Sequence, residues 1–339
     1  MTSLANHSLS MRHLFLFLAS AIAVCPAQVP KPPWSSGTAP AKMSSNAVSA
    51  SSDAAQNPDA TIKVDVKLVN VFVTVTDDHG APVGGLIKDN FELLEDGAPQ
   101  TISMFDKQSA LPLSIVMDID TSLSTRKDLP LELTSAKRFA HAILRPVDAL
   151  CLYEFSETVD EVVSFTPDLK TIDRGIDRVH YGAATALYDA IYLSAHAVDR
   201  RQGRKVMVII TDGGDTISRV DYKEAVRAAQ EAEVIVYSII DVPIEASAGR
   251  DLGGEHALIQ ISEDTGGKYF YATSVPQLDE AFRKISDELR TQYLLAYYPA
   301  RHSSDTNFRR IQVKVAGLPG SPAFVVRHRA GYYTRKSHF

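Results

Sequence analysis

Five oxygen-bearing side chains in three separate stretches have the types and spacing to hold a hard cation. The first stretch is Asp120-Thr-Ser122-Leu-Ser124, which ends the apolar run Leu113, Ile115, Val116 and Met117. Alternate side chains of an extended loop point the same way, so one carboxylate and two hydroxyls converge. The second is Gly182-Ala-Ala-Thr185, a small-residue loop that opens a helix. The third is Val206-Met-Val-Ile-Ile-Thr-Asp212-Gly-Gly-Asp215, an apolar strand ending in carboxylates. Hard donors carrying so little negative charge suit Mg²⁺ or Mn²⁺ that keeps some of its waters. Capping and turn formation account for Ser122, Ser124 and Thr185. They do not account for carboxylates at the ends of two apolar strands. Asp118 shares a strand face with Asp120, about 6–7 Å away by strand rise. Asp118 and Asp215 are expected beside the ligands, holding hydrogen bonds or waters, rather than among them.

The elements that must position these residues alternate. Strands are expected at 112–119, 149–155, 158–164, 205–211, 234–240 and 268–272. Helices are expected at about 126–144, 169–178, 185–201, 220–232, 254–265 and 276–292. Such alternation predicts an α/β fold with a doubly wound, mostly parallel sheet and right-handed crossovers. Ligands of open α/β sheets bind at the carboxyl ends of the strands, where Asp120 and Asp212 fall. Ser156-Glu-Thr is too short for a crossover, so the strand after it should be antiparallel.

Both flanks read as strands. In 61–109, alternation through Val64, Val66 and Leu68 leads into Val71-Phe-Val-Thr-Val-Thr. A turn signal follows at Asp77–Gly80, and a hairpin with a slightly long loop is expected around Asp96-Gly97, between Phe91–Glu95 and Gln100–Phe105. In 291–339, Gln292–Pro299, Arg309–Val315 and Ala323–Arg329 have strand periodicity. Roughly seven strands suit a small β-sandwich-like domain built from both ends, with 110–290 inserted in it.

The amino terminus stands apart. Met11-Arg-His, the apolar stretch Leu14–Val24 and the small residues Cys25 and Ala27 read as a secretory signal peptide over 1–27. The apolar core is short for a membrane span, so no stable span is expected after cleavage. Residues 28–60, rich in Pro, Ser and Ala, are expected to be a disordered linker. With Cys25 removed, Cys151 is the only cysteine and reads as a buried structural thiol. Export without disulfides suits a periplasmic, secreted or cell-surface bacterial protein.

The three site stretches, in this order, resemble the metal-ion-dependent adhesion site of the von Willebrand factor type A fold. The resemblance implies that Asp120, Ser122, Ser124 and Thr185 ligate the ion directly or through water, and Asp212 through water. It also implies an open position for a carboxylate of a protein partner. The flanks resemble a family of exported proteins abundant in acidobacteria. Val73–Val83 carries V-x-V-T-D-x-x-G-x-P-V, and Asp89–Gln100 carries D-x-F-x-L-x-E-D-G-x-P-Q. Q-Y-L-L-A-Y-Y-P and R-H-R-A-G-Y-Y close the segment.

Composition narrows the function. The 339 residues are 45% hydrophobic and 22% charged, with a net charge of −6, which argues against a general nucleic-acid binder. No H-E-x-x-H, G-x-S-x-G or phosphate-cradling loop occurs, and no catalytic residues are expected. The reading is a non-enzymatic, metal-dependent binding module. Two alternatives are a structural envelope scaffold that leaves the site unused, and a Mg²⁺-dependent phosphoester hydrolase using Asp118, Asp120 and Asp212.

Overall fold

The computed structural model describes residues 68–107, 111–125, 129–241, 252–300, 308–316 and 324–334. The expected signal peptide, the linker and Cys25 lie outside these. Contacts group Ile62–Phe339 into one compact unit.

In chain order the strands of the amino-terminal flank are β1 (Val69–Thr76), β2 (Phe91–Glu95), β3 (Ala98–Gln100) and β4 (Ile102–Lys107). The α/β part follows with β5 (Leu113–Asp120), α1 (Leu129–Ile143), β6 (Ala149–Phe155), β7 (Val159–Thr166), α2 (Leu169–Ile176) and α3 (Leu187–Asp199). It continues with β8 (Arg204–Thr211), α4 (Tyr222–Glu231), β9 (Ile235–Asp241), α5 (Leu252–Thr265), β10 (Lys268–Ala272) and α6 (Val275–Thr291). The closing flank has β11 (Tyr293–Tyr297), β12 (Phe308–Val315), β13 (Val325–Arg327) and β14 (Gly331–Tyr333).

Every residue of β5 is buried, as a central strand covered on both faces requires. Its sheet runs β10-β9-β8-β5-β6-β7. All neighbours are parallel except β6 and β7, which the short Ser156–Thr158 connection makes antiparallel. Leu113, Ile115, Met117 and Ile119 face a core shared with α1, α2 and α6. Val116, on the opposite parity, packs with α3, α4 and α5. The sheet is thus wound on both faces, and β5 and β8 end side by side.

The flanks form two four-stranded antiparallel sheets, β13-β1-β11-β4 and β14-β12-β2-β3. Val71, Val73, Leu295 and Tyr297 of one share a core with Leu93, Ile311, Val313 and Tyr332 of the other. Each sheet pairs amino-terminal strands with carboxyl-terminal ones, Val71 opposite Leu295 and Leu93 opposite Val313. Two details differ from the sequence reading. Asp96 and Gly97, both at positive φ, make a two-residue turn shorter than expected. The single strand expected over 100–105 is divided: β3 pairs with β2, and the chain then crosses so that β4 pairs with β11. Pro99 donates no hydrogen bond, which keeps β3 short and at an edge. The stretch expected as one strand over 323–329 is likewise divided. β13 joins β1 in one sheet, and β14 joins β12 in the other.

The inserted part is fastened to this β-unit on several sides. α6 runs into β11 through Gln292, whose ψ of 143° ends the helix. Arg327 pairs with Glu288 of α6 and donates to the Gly267 carbonyl at 2.7 Å, while Arg329 pairs with Glu233, between α4 and β9, at 3.5 Å. Among the described residues no helix is long and apolar enough to cross a membrane.

Candidate metal centre

β5 carries Asp120 to the end of the sheet, and the next residues fold back over it. Oδ1 of Asp120 accepts the Ser122 N–H at 2.8 Å, and Oδ2 accepts the Thr211 hydroxyl at 2.6 Å. Thr125 closes the loop, donating its hydroxyl to the carbonyls of Asp120 and Ser122, each at 3.1 Å. This places the Ser122 and Ser124 hydroxyl oxygens 3.1 Å apart. Asp120 and Ser122 are buried, whereas Ser124 is exposed.

Two further loops complete the rim. Gly182 donates its N–H to the Thr121 carbonyl at 2.8 Å. A side chain at Gly182 would overlap Ser156, whose Cβ would lie 2.2 Å from the added carbon. The chain then delivers Thr185, which is buried, at the start of α3. Its N–H donates to the Thr216 hydroxyl at 2.9 Å and its carbonyl accepts the Thr216 N–H at 2.8 Å. The Thr185 hydroxyl makes no hydrogen bond to another described residue. Gly213 turns the third loop at a φ of +98°. Its carbonyl is so close to Gly254 of α5 that a Cβ there would lie 1.4 Å from it. The loop therefore needs glycine on both sides of that contact.

The electrostatics follow from burial. Burial pushes the Asp120 carboxyl up to about 6; bonds from Thr211 and Ser122 oppose the rise, and the nearby Asp212 charge adds to it. Asp212 is half-buried, and its carboxylate also has no hydrogen bond to another described residue. Among the described residues no group of three or more His, Cys, Asp or Glu is placed to hold a metal ion. A cation here would rest on two carboxylates and three hydroxyls. The Ser122 and Ser124 hydroxyls are hydrogen-bonded to each other, and their spacing is compatible with such a cation. An octahedral ion with ligands at 2.0–2.1 Å separates adjacent oxygens by about 2.9 Å, close to the Ser122–Ser124 spacing.

Residues 115–214 match the family model of the von Willebrand factor type A domain. The inserted α/β unit is a von Willebrand factor type A domain. The match contains Asp120, Ser122, Ser124, Thr185 and Asp212, and leaves both β-flanks outside it. No curated protein matches this sequence. Solved structures with similar chains include the protein BatB from Bacteroides thetaiotaomicron (19% identity, covering 53% of this chain and 100% of that one, TM-score 0.43). A von Willebrand factor type A protein from Catenulispora acidiphila is 12% identical, over 71% of this chain and 73% of its own, with a TM-score of 0.47. The corresponding domain of the type V pili tip protein Mfa5 from Porphyromonas gingivalis is 13% identical, over 52% and 95%, with a TM-score of 0.42.

Within the type A domain, the two outer carboxylates lie apart from the converging donors. Asp118 is fully buried, and its Oδ1 accepts the Ser194 hydroxyl of α3 at 2.5 Å. Oδ2 has no partner. Burial pushes this carboxyl up to about 8 against the effect of the Ser194 bond, so at neutral pH it is largely a neutral acid. Asp215 accepts the Tyr188 N–H at 3.3 Å and the Ser218 hydroxyl, pinning the third loop to the start of α3. Thr211 and Thr125 orient the Asp120 loop, and the sequence reading did not single them out. Thr211 had a legible signal: it precedes Asp212 at the end of an apolar strand, beside β5.

Proposed function

We propose that the type A domain binds one Mg²⁺ or Mn²⁺ ion at Asp120, Ser122, Ser124 and Thr185, with Asp212 holding its waters. Through that ion it binds a carboxylate of a protein partner outside the cytoplasm. Domains of this family are usually protein-binding modules without catalysis. The carrying observation is the pair of hydroxyls 3.1 Å apart above a buried carboxylate. The Thr185 hydroxyl and the Asp212 carboxylate beside them have no hydrogen bond to another described residue. The ion supplies positive charge for an incoming anionic oxygen. Asp120, clamped by Ser122 and Thr211, is held in place before any ion arrives. With few protein charges around it, the ion keeps much of its attraction for an outside anion.

Calorimetric titration with Mg²⁺ and Mn²⁺ tests this. Binding in the millimolar range or tighter is expected, together with a rise in melting temperature that EDTA reverses. At a hundredfold excess over Kd the stabilisation is about 2.7 kcal/mol. Asp120→Ala and Asp212→Ala should lose both effects and keep their secondary structure. No binding by the wild type, or equal binding by Asp120→Ala, would leave the scaffold reading in its place.

A further inference from the structure

Three large apolar side chains stand out of the three site loops. Leu123 is 59% exposed, Tyr181 49% and Ile217 51%. The backbone places each beside the converging donors. Leu123 separates Ser122 from Ser124. Tyr181 precedes Gly182, whose N–H is bonded to the Thr121 carbonyl. Ile217 donates its own N–H to the Thr185 carbonyl at 3.3 Å.

The rim carboxylates are hydrogen-bonded to loop backbone, Glu157 while remaining exposed. Asp189 accepts the N–H groups of Arg219 and Val220 at 2.9 and 3.0 Å, and Asp215 accepts that of Tyr188. Glu157 accepts the Ala183 N–H at 3.1 Å, and Glu154 that of His180 at 2.8 Å. Each is used to fix a loop. Asp120 and Asp212, at the centre, are left as the place for a cation, and leucine, tyrosine and isoleucine stand around it. An anion is complementary to such a centre, and an apolar neighbour to such a rim. Burying half-exposed side chains of this size adds affinity without a second charge.

We infer that the partner is a protein segment whose aspartate or glutamate is flanked by large apolar side chains, seated on Leu123, Tyr181 and Ile217. This rests on the metal-site reading and adds the identity of the flanking residues to it. The probe is a displayed library of random peptides with a fixed central aspartate, selected on the full chain with Mg²⁺ and again with EDTA. Magnesium binding is measured separately by calorimetry. Selected peptides should carry leucine, isoleucine, phenylalanine or tyrosine next to the aspartate, and EDTA should release them. Leu123→Ser, Tyr181→Ser and Ile217→Ser should each weaken a selected peptide roughly three- to tenfold. The triple variant should select nothing while binding Mg²⁺ like the wild type. A wild type that binds Mg²⁺ but selects charged or small flanking residues, or no peptide, overturns the inference and spares the metal reading. A triple variant that selects the same peptides does the same. A wild type that binds no Mg²⁺ defeats the metal reading, and apolar peptides held equally well in EDTA would defeat the link between rim and ion.

Discussion

Two buried acidic clusters in this chain are built in opposite ways. In the β-unit, Glu95 is satisfied from all sides: Oε2 accepts the hydroxyls of Tyr297 at 2.6 Å and Tyr332 at 2.9 Å, and Oε1 faces Arg309 at 3.3 Å. A cation and two hydroxyls from the carboxyl-terminal flank close on one carboxylate of the amino-terminal flank. In the type A domain, Asp118 has one oxygen without a partner, and Asp120 and Asp212 face each other's charge. The first cluster is complete and joins two sheets. The second keeps acceptors in reserve, an arrangement that costs stability unless something else binds there.

The largest effect should come from breaking the complete cluster. Glu95→Ala leaves two buried tyrosine hydroxyls without their acceptor and a largely buried arginine with only its 3.5 Å contact to Asp96, at a cost of about 3–5 kcal/mol. Urea unfolding should show it, and Mg²⁺ binding in the surviving folded fraction should be unchanged. A neutral result would remove the contrast between the clusters.

The opposite sign is expected at Asp118. Its folded pKa of about 8 lies above the unfolded value near 3.9, so the folded state holds the extra proton between them. The stability linked to that proton is fully present below about pH 4 and is lost as pH rises through about 8. Asp120 shifts the same way, but its window closes near its own value of about 6. Decline between pH 6 and 8 therefore belongs to Asp118. Asp118→Asn keeps an acceptor for Ser194 and should remove that decline. It should stabilise the protein at pH 8 by an amount on the order of a few kcal/mol. Chemical denaturation across this pH range checks it, and an unchanged slope would mean that Asp118 is charged in the fold.

Thr211→Val sharpens the comparison at the site itself. It removes the hydroxyl that orients Asp120 while keeping the shape of the strand, and Mg²⁺ affinity should fall about 10- to 100-fold. A change in melting temperature with metal binding intact would place Thr211 with the structural residues instead. The smallest effect is expected at Cys151, in the core between the sheet and α3. Burial raises its thiol well above the ordinary range, so it should resist alkylation in the folded protein. Cys151→Ala should cost about 1 kcal/mol in denaturant unfolding and leave Mg²⁺ binding unaltered.

Much of the type A domain was legible in the chain because its signals are local. An apolar run buried at every position is a central strand, and the D-x-S-x-S stretch after it must lie at the carboxyl edge. Ser122 and Ser124 converge through the geometry of a few consecutive residues, so their pairing needed no knowledge of the rest of the fold. The antiparallel β7 followed from the length of one connection.

Partners far apart in the chain were decided only by packing. Asp118 meets Ser194 across 76 positions, and Asp120 meets Thr211 across 91. Nothing in the spacing of either pair distinguishes it from other serines and threonines on the same helices and strands. The divided strands are of the same kind. Periodicity reports which residues of 98–107 alternate, but which sheet each half joins depends on where β2 and β11 come to lie. A hydrogen bond or a strand pairing is fixed by the positions of both members. The sequence by itself determined the burial and local geometry of single segments, and the tertiary structure alone decided which buried acid found a partner and which was left open.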